Sequence, residues 1–114
     1  MNVSDLVQRA ELAVKAGAGG LDAEVTGGYA SDLLSAVMAN AVEGNVWVTW
    51  HAHPNIVAVA LLVKLSAIIL VAGRQPEDET AEKAEQEGVP ILVSSLPAFE
   101  LVGRLHAMGV AGAT

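Results

Sequence analysis

The sequence predicts a single α/β domain with a mostly parallel central sheet of about four to five strands flanked by helices. Three observations carry that prediction. Short apolar, β-branched runs (Val46-Trp47-Val48-Thr49-Trp50, Ala67-Ile68-Ile69-Leu70-Val71 and Pro90-Ile91-Leu92-Val93) recur along the chain. Segments with helical spacing of apolar residues separate them. The run at Ala67–Val71 has no polar position, as in strands covered on both faces of a parallel sheet. Alternation of this kind implies right-handed crossovers with helices packed on the sheet. A chain of 114 residues is the size of one domain able to bury its own core.

The elements follow in order. Ser4 is placed to cap a first helix over about residues 4–17, with Asp5 in its first turn and Leu6, Ala10, Ala13 and Val14 as its apolar stripe. Gly17, Gly19 and Gly20 end it. Leu21 to Val25 alternates and reads as a strand, and Thr26-Gly27-Gly28-Tyr29 as the turn after it. Ser31 is placed to cap a second helix running to about Asn40, with Leu33, Leu34, Val37 and Met38 facing inward. After the strand at Val46–Trp50, Pro54 suits the first position of a third helix, where a missing N–H costs nothing. Pro76 opens a fourth, which closes at Gly88. A last helix begins near Pro97, with Phe99, Leu101, Val102, Leu105 and Met108 as its inner face, and residues 109–114 read as a frayed tail.

Composition excludes several classes. There is no cysteine, hence no disulfide framework and no cysteine-held zinc or iron–sulfur cluster. Six basic against thirteen acidic residues, a net charge of −7, argue against a nucleic-acid partner, which needs clustered Lys and Arg. The charge is local: residues 77–87 hold six acids and one lysine, and the remainder is nearly neutral. That segment reads as a solvated outer helix with Thr80, Ala81 and Ala84 inward, or as a docking surface for a basic partner. The apolar run from Ile56 to Ala72 is broken by Lys64 and Ser66 and is short for a membrane span, so no membrane role is expected. No basic segment followed by an apolar run opens the sequence, and the chain reads as cytoplasmic. Much of the apolar content is alanine, which buries little area, so self-association as a homodimer is expected.

In parallel sheets, ligands bind outside the carboxyl ends of the strands. Four segments qualify: Thr26 to Asp32, His51 to Asn55, Ala72 to Gln75, and Ser94-Ser95. The candidate ligand-binding residues are Thr26, Gly27, Gly28, Ser31, Asp32, His51, His53, Asn55, Gly73, Arg74, Ser94 and Ser95. Two glycines before a helix let backbone approach an anion, though neither a P-loop nor a dinucleotide fingerprint is present. Arg74 is suited to a carboxylate or phosphate ligand, or to pairing with Glu77 or Asp78. His51 and His53 are weak metal candidates without an evident third ligand, and His53 is equally placed to cap the helix at Pro54. Ser94 and Ser95 suit a strand end and helix cap. Trp47 and Trp50 project to opposite faces of their strand, one to the core and one to an interface. No cofactor is called for.

Three runs carry a family resemblance: Thr26-Gly27-Gly28-Tyr29-Ala30-Ser31-Asp32-Leu33-Leu34-Ser35, then His53-Pro54-Asn55-Ile56-Val57-Ala58-Val59-Ala60, then Gly73-Arg74-Gln75-Pro76-Glu77-Asp78-Glu79-Thr80 leading to Glu87-Gly88-Val89-Pro90-Ile91-Leu92. Together they resemble the small DRTGG-type domains, over roughly Gly27 to Met108. The naming residues of that family depart here: the Asp-Arg segment reads His53-Pro54, and the later Thr-Gly-Gly reads Val71-Ala72-Gly73. The resemblance implies an α/β regulatory or dimerisation module of the kind found beside CBS pairs in regulated pyrophosphatases and in phosphotransacetylases. It implies no catalysis, a small ligand such as a nucleotide, and a larger enzyme as partner. Stand-alone members similar to this chain are often encoded near iron-hydrogenase subunits, which implies an accessory role there. The alternative is a small metal- or phosphate-handling enzyme using His51, His53, Asp32 and Arg74.

Overall fold

Asn2 starts the first helix. Its side chain accepts the Asp5 N–H at 2.8 Å while the Asp5 carboxylate accepts the Asn2 N–H at 3.0 Å, a reciprocal capping box. In the computed structural model of the chain, which describes residues 1–112, helix α1 therefore spans Val3–Arg9. It does not reach Gly17. Glu11 takes a left-handed conformation, and Ala13–Ala16 form an edge strand, β1, antiparallel to the strand at Ile91–Val93. Ala13 and Val14 have helical spacing from Leu6, but pairing with an open sheet edge satisfies backbone groups that a further helical turn would have satisfied internally.

The sheet has five strands: β1, then β2 (Gly27–Ala30), β3 (Asn45–Thr49), β4 (Ala67–Leu70) and β5 (Ile91–Val93). Their order is β1-β5-β4-β3-β2, and β2 to β5 are parallel. The expected strand at Leu21–Val25 is instead a turn region with one bridge, Asn2 to Glu24, and the strand is formed by the glycines expected to be a turn.

Helices α2 (Leu34–Asn40), α3 (Asn55–Val63) and α4 (Asp78–Glu87) are the three crossovers, and α5 (Ala98–Ala107) follows β5. Alternation along each strand splits the core in two. Trp47, Ile68, Leu70, Ile91 and Val93 meet Val37, Ile56, Val57, Ala60 and Ala84 of the crossover helices. Val46, Val48, Ala67, Ile69 and Leu92 meet Val3 and Leu6 of α1 and Leu101 and Leu105 of α5. The result is three layers, α2–α3–α4 on one face and α1–α5 on the other. No helix among the described residues is long and apolar enough to cross a membrane.

Four inward assignments, on two helices, are corrected. Leu33 is 64% exposed, and Met38 is also exposed, because α2 starts at Leu34 and covers the outer strand β2, beyond which no described strand or helix covers its far side. Phe99 is 88% exposed, and Val102 is exposed too, because the buried residues of α5 are Leu101 and Leu105 and the stripe holding Phe99 and Val102 turns to solvent. The tail is ordered as far as it is described. Val110 is buried, and Ala111 accepts the Gly28 N–H at 2.8 Å along the outer edge of β2. Residues 113–114 lie outside the described residues.

Candidate functional site

The parallel strands deliver their carboxyl ends to one edge of the sheet, and three loops meet there. Ser31 and Asp32 follow β2. Trp50 to His53 follow β3, with Trp50 just past the strand end rather than inside it. Val71 to Arg74 follow β4. Between them lies a shallow cleft of about 300 Å³ lined by Asp32, Trp50, His51, Ala52, His53, Arg74 and Glu77. A second hollow of about 310 Å³, lined by Ser31, Asp32, Val48, Thr49, Trp50, Val71 and Ala98 among others, shares Asp32 and Trp50 with the first. The two together have the size of a small-ligand pocket.

Asp32 is fixed between the loops. One carboxylate oxygen, Oδ1, accepts the Trp50 N–H at 2.8 Å and the Thr49 hydroxyl at 2.7 Å. The Trp50 N–H holds this carboxyl below the usual carboxylate range, aided by the Thr49 hydroxyl and the charge of His51 and opposed by partial burial. Oδ2 makes no hydrogen bond among the described residues, which leaves an acceptor on this carboxylate unused.

Trp50 is half exposed, and the Arg74 guanidinium lies over its ring, 4.4 Å from the centroid. Arg74 thus takes the aromatic face, and the expected pair with Glu77 or Asp78 does not form; among the described residues the single ion pair joins the N-terminal amine to Glu24. Ala72 and Gly73 both take left-handed conformations, and this turn brings Arg74 back over β3. The Ala72 and Gly73 N–H groups donate to the carbonyls of Leu96 and Ser94 at 2.7 and 2.8 Å, which anchors the turn to the β5 loop.

His53 serves the start of α3, whose N-cap position is Pro54: its Nδ1 accepts the Asn55 N–H at 3.1 Å. The Asn55 side-chain oxygen is buried without a hydrogen-bond partner, the one such side-chain atom among the described residues. The backbone N–H of His51 donates to Thr49 Oγ1 at 3.1 Å. The Ala52 carbonyl accepts both the Thr80 hydroxyl at 2.7 Å and the Glu77 N–H at 3.2 Å, which binds this loop to α4. Among the described residues, no group of three or more His, Asp or Glu is placed to hold a metal ion.

The structure therefore brings Ser31, Asp32, His51, His53 and Arg74 together, with Gly73 in the supporting turn and Asn55 at the start of α3. It separates the others. Thr26, Gly27 and Gly28 lie at the opposite end of β2 or within it. Thr26 Oγ1 donates to the Glu43 carbonyl and accepts from Asn45, and a Cβ at Gly27 would press on the Ala111 carbonyl. Those glycines permit the close approach of the tail and line neither of the two hollows at the carboxyl ends of the strands. Ser94 is buried and its hydroxyl accepts the Leu96 N–H at 3.1 Å, and Ser95 lines neither hollow. Sequence reasoning did not place Trp50, Thr49 or Glu77 in the site. The available signal was that Trp50 immediately follows the most evident strand, at its carboxyl end.

No family model matches this chain, and no curated protein matches it in sequence. Among solved structures it is similar to the CBS and DRTGG domains of the regulatory region of Clostridium perfringens pyrophosphatase, complexed with the activator diadenosine tetraphosphate. The TM-score is 0.72 at 12% identity, over 91% of this chain and 45% of that one. The chain thus spans less than half the length of that regulatory region. At this identity the likeness is one of fold, and it agrees with the resemblance to DRTGG-type domains carried by the three sequence runs.

Proposed function

We propose that this chain is a regulatory domain without catalysis of its own, which binds a small nucleotide-like ligand at the carboxyl ends of β2, β3 and β4 and passes the bound state to a partner protein. The observation that supports this reading above all is the Arg74–Trp50 pair beside the free oxygen of Asp32. An indole offers a stacking surface for a base, a carboxylate with a free oxygen accepts from ribose hydroxyls, and a guanidinium suits a phosphate. A fold shared with a regulatory region that takes a dinucleoside activator supports the same class of ligand by analogy.

The arrangement offers little to the alternative of a metal- or phosphate-handling enzyme. The His53 Nδ1 lone pair is committed to the Asn55 N–H, and Asp32 makes no hydrogen bond to either imidazole among the described residues.

The test is a thermal-shift and calorimetric series with adenosine monophosphate, adenosine triphosphate, diadenosine tetraphosphate and inorganic phosphate. At 100 times its dissociation constant a ligand stabilises by about 2.7 kcal/mol. Saturable binding that Trp50→Ala and Arg74→Ala each abolish, with no turnover of the nucleotide, supports the reading. Absence of binding by every nucleotide, or binding untouched by both substitutions, overturns it.

A further inference from the structure

The turns that precede β3, β4 and β5 meet at the amino ends of the parallel strands, the edge of the sheet opposite the cleft. A hollow of about 390 Å³ opens between them, lined by Glu24, Glu43, Lys64, Leu65, Val89 and Pro90 among others. Hydrogen bonds tie its walls together. The Gly44 N–H donates to the Lys64 carbonyl at 2.9 Å, and the Thr26 N–H to the Gly44 carbonyl at 3.0 Å. The Ser66 hydroxyl donates to the Glu24 carbonyl at 2.6 Å, and the Thr26 hydroxyl to the Glu43 carbonyl at 2.8 Å. Walls linked in this way spare a ligand the entropy of ordering them.

Two charges of the hollow are unpaired. Gly44 joins the turn of Glu43 directly to Lys64, yet neither the Glu43 carboxylate nor the Lys64 ammonium makes an ion pair among the described residues. Glu24 is held by the N-terminal amine at 3.4 Å. Lys64 ends α3 in a left-handed conformation, φ 63°, where glycine is the residue of least strain. Leu65, Val89 and Pro90 are buried and supply the apolar part of the lining.

From these features we infer that the hollow binds a free α-amino acid with an aliphatic side chain. Its carboxylate lies on Lys64, its ammonium on Glu43, and its side chain against Leu65, Val89 and Pro90. One ligand bearing both charges satisfies both groups at once. A bare anion would meet Glu24 and Glu43, and a bare cation would meet Lys64 and the N-terminal amine, so the hollow opposes either alone. The volume is that of a small-ligand pocket. The hollow shares no residue with the two at the carboxyl ends of the strands and does not rest on the function proposed for them.

Calorimetric titration of the full chain with L-leucine, L-isoleucine and L-valine tests the proposal. Leucine methyl ester, which lacks the carboxylate, and 4-methylpentanoate, which lacks the ammonium, are the controls. At least one of the three amino acids is expected to bind with a dissociation constant on the order of 1 mM or below. Each control is expected to bind about tenfold more weakly than leucine. Lys64→Gly, at a position whose backbone suits glycine, is expected to keep the fold by circular dichroism and to weaken amino-acid binding about tenfold. Glu43→Gln, at an exposed side chain, is expected to weaken it to the same extent, and Lys64→Arg to retain it. Failure of all three amino acids to bind at about 10 mM overturns the proposal. Binding of either control as tight as that of leucine, or binding untouched by Lys64→Gly or by Glu43→Gln, overturns it as well.

Discussion

The Arg74 guanidinium lies over the Trp50 indole at 4.4 Å from the ring centroid, and the two residues come from the ends of neighbouring parallel strands. Each fixes the other at the mouth of the cleft. Arg74→Ala is expected to leave stability within about 1 kcal/mol, since an exposed cation–π contact contributes about 0.5–1 kcal/mol. It is expected to shift the tryptophan emission all the same, because Trp50 is the exposed one of the two tryptophans. Emission spectra of Arg74→Ala in the wild-type and Trp50→Phe backgrounds check this. A shift that persists without Trp50 would assign it elsewhere.

Asp32 makes stability depend on acid. A carboxyl whose folded value lies below its usual 3.8 contributes stability that is complete above the unfolded value and is lost as pH falls through the folded one. Asp32→Asn is therefore expected to cost at most about 1 kcal/mol at neutral pH, and the difference from wild type should shrink as pH falls through the folded value. The group is largely exposed, so salt should reduce the effect. Urea unfolding from neutral to acid pH, at low and high ionic strength, measures both.

The two tryptophans separate core from site. Trp47 is fully buried, and its indole N–H donates to the Ser31 carbonyl at 2.8 Å. Trp47→Ala is expected to cost about 3–5 kcal/mol, and Trp50→Ala less than about 1 kcal/mol. Equilibrium unfolding of the two variants side by side decides it; a larger loss at Trp50 would contradict the packing described.

Gly27 is held small by the tail. A methyl there meets the Ala111 carbonyl and the Asn45 amide, so Gly27→Ala is expected to displace residues 110–112 and cost about 1–2 kcal/mol. Faster hydrogen exchange at the Gly28 amide, which donates to Ala111, would report the displacement. Unchanged exchange and stability would mean that the tail does not depend on this approach.

The α/β class, the strands β3 to β5, and helices α3 and α4 with the inward residues Thr80 and Ala84 were legible, because each is a run whose own residues decide its state. Val46 to Val48 and Ala67 to Leu70 are β-branched, aromatic or aliphatic and are bounded by turn residues. Residues 12–30 were not legible. Ala13 and Val14 keep helical spacing and become a strand because β5 offers an open edge, and Gly27-Gly28 lack any strand preference yet pair with Asn45 and Val46. Both outcomes are set by partners distant in sequence. That shift of β2 also decided the site, since it carried Thr26 to Gly28 to the far end of the sheet while leaving Ser31 and Asp32 at the cleft. The meeting of Trp50 with Arg74 follows from β3 and β4 being neighbours, which no local pattern contains.

The Ala52 carbonyl, gripped by the Thr80 hydroxyl and the Glu77 amide, acts as a hinge pin. Any ligand that draws the His51–His53 loop inward must either drag the first turn of α4 along or break two hydrogen bonds at a buried oxygen. The densest negative charge of the molecule is mounted on that helix. On the proposed reading, a small closing motion at the cleft would therefore carry that charge with it.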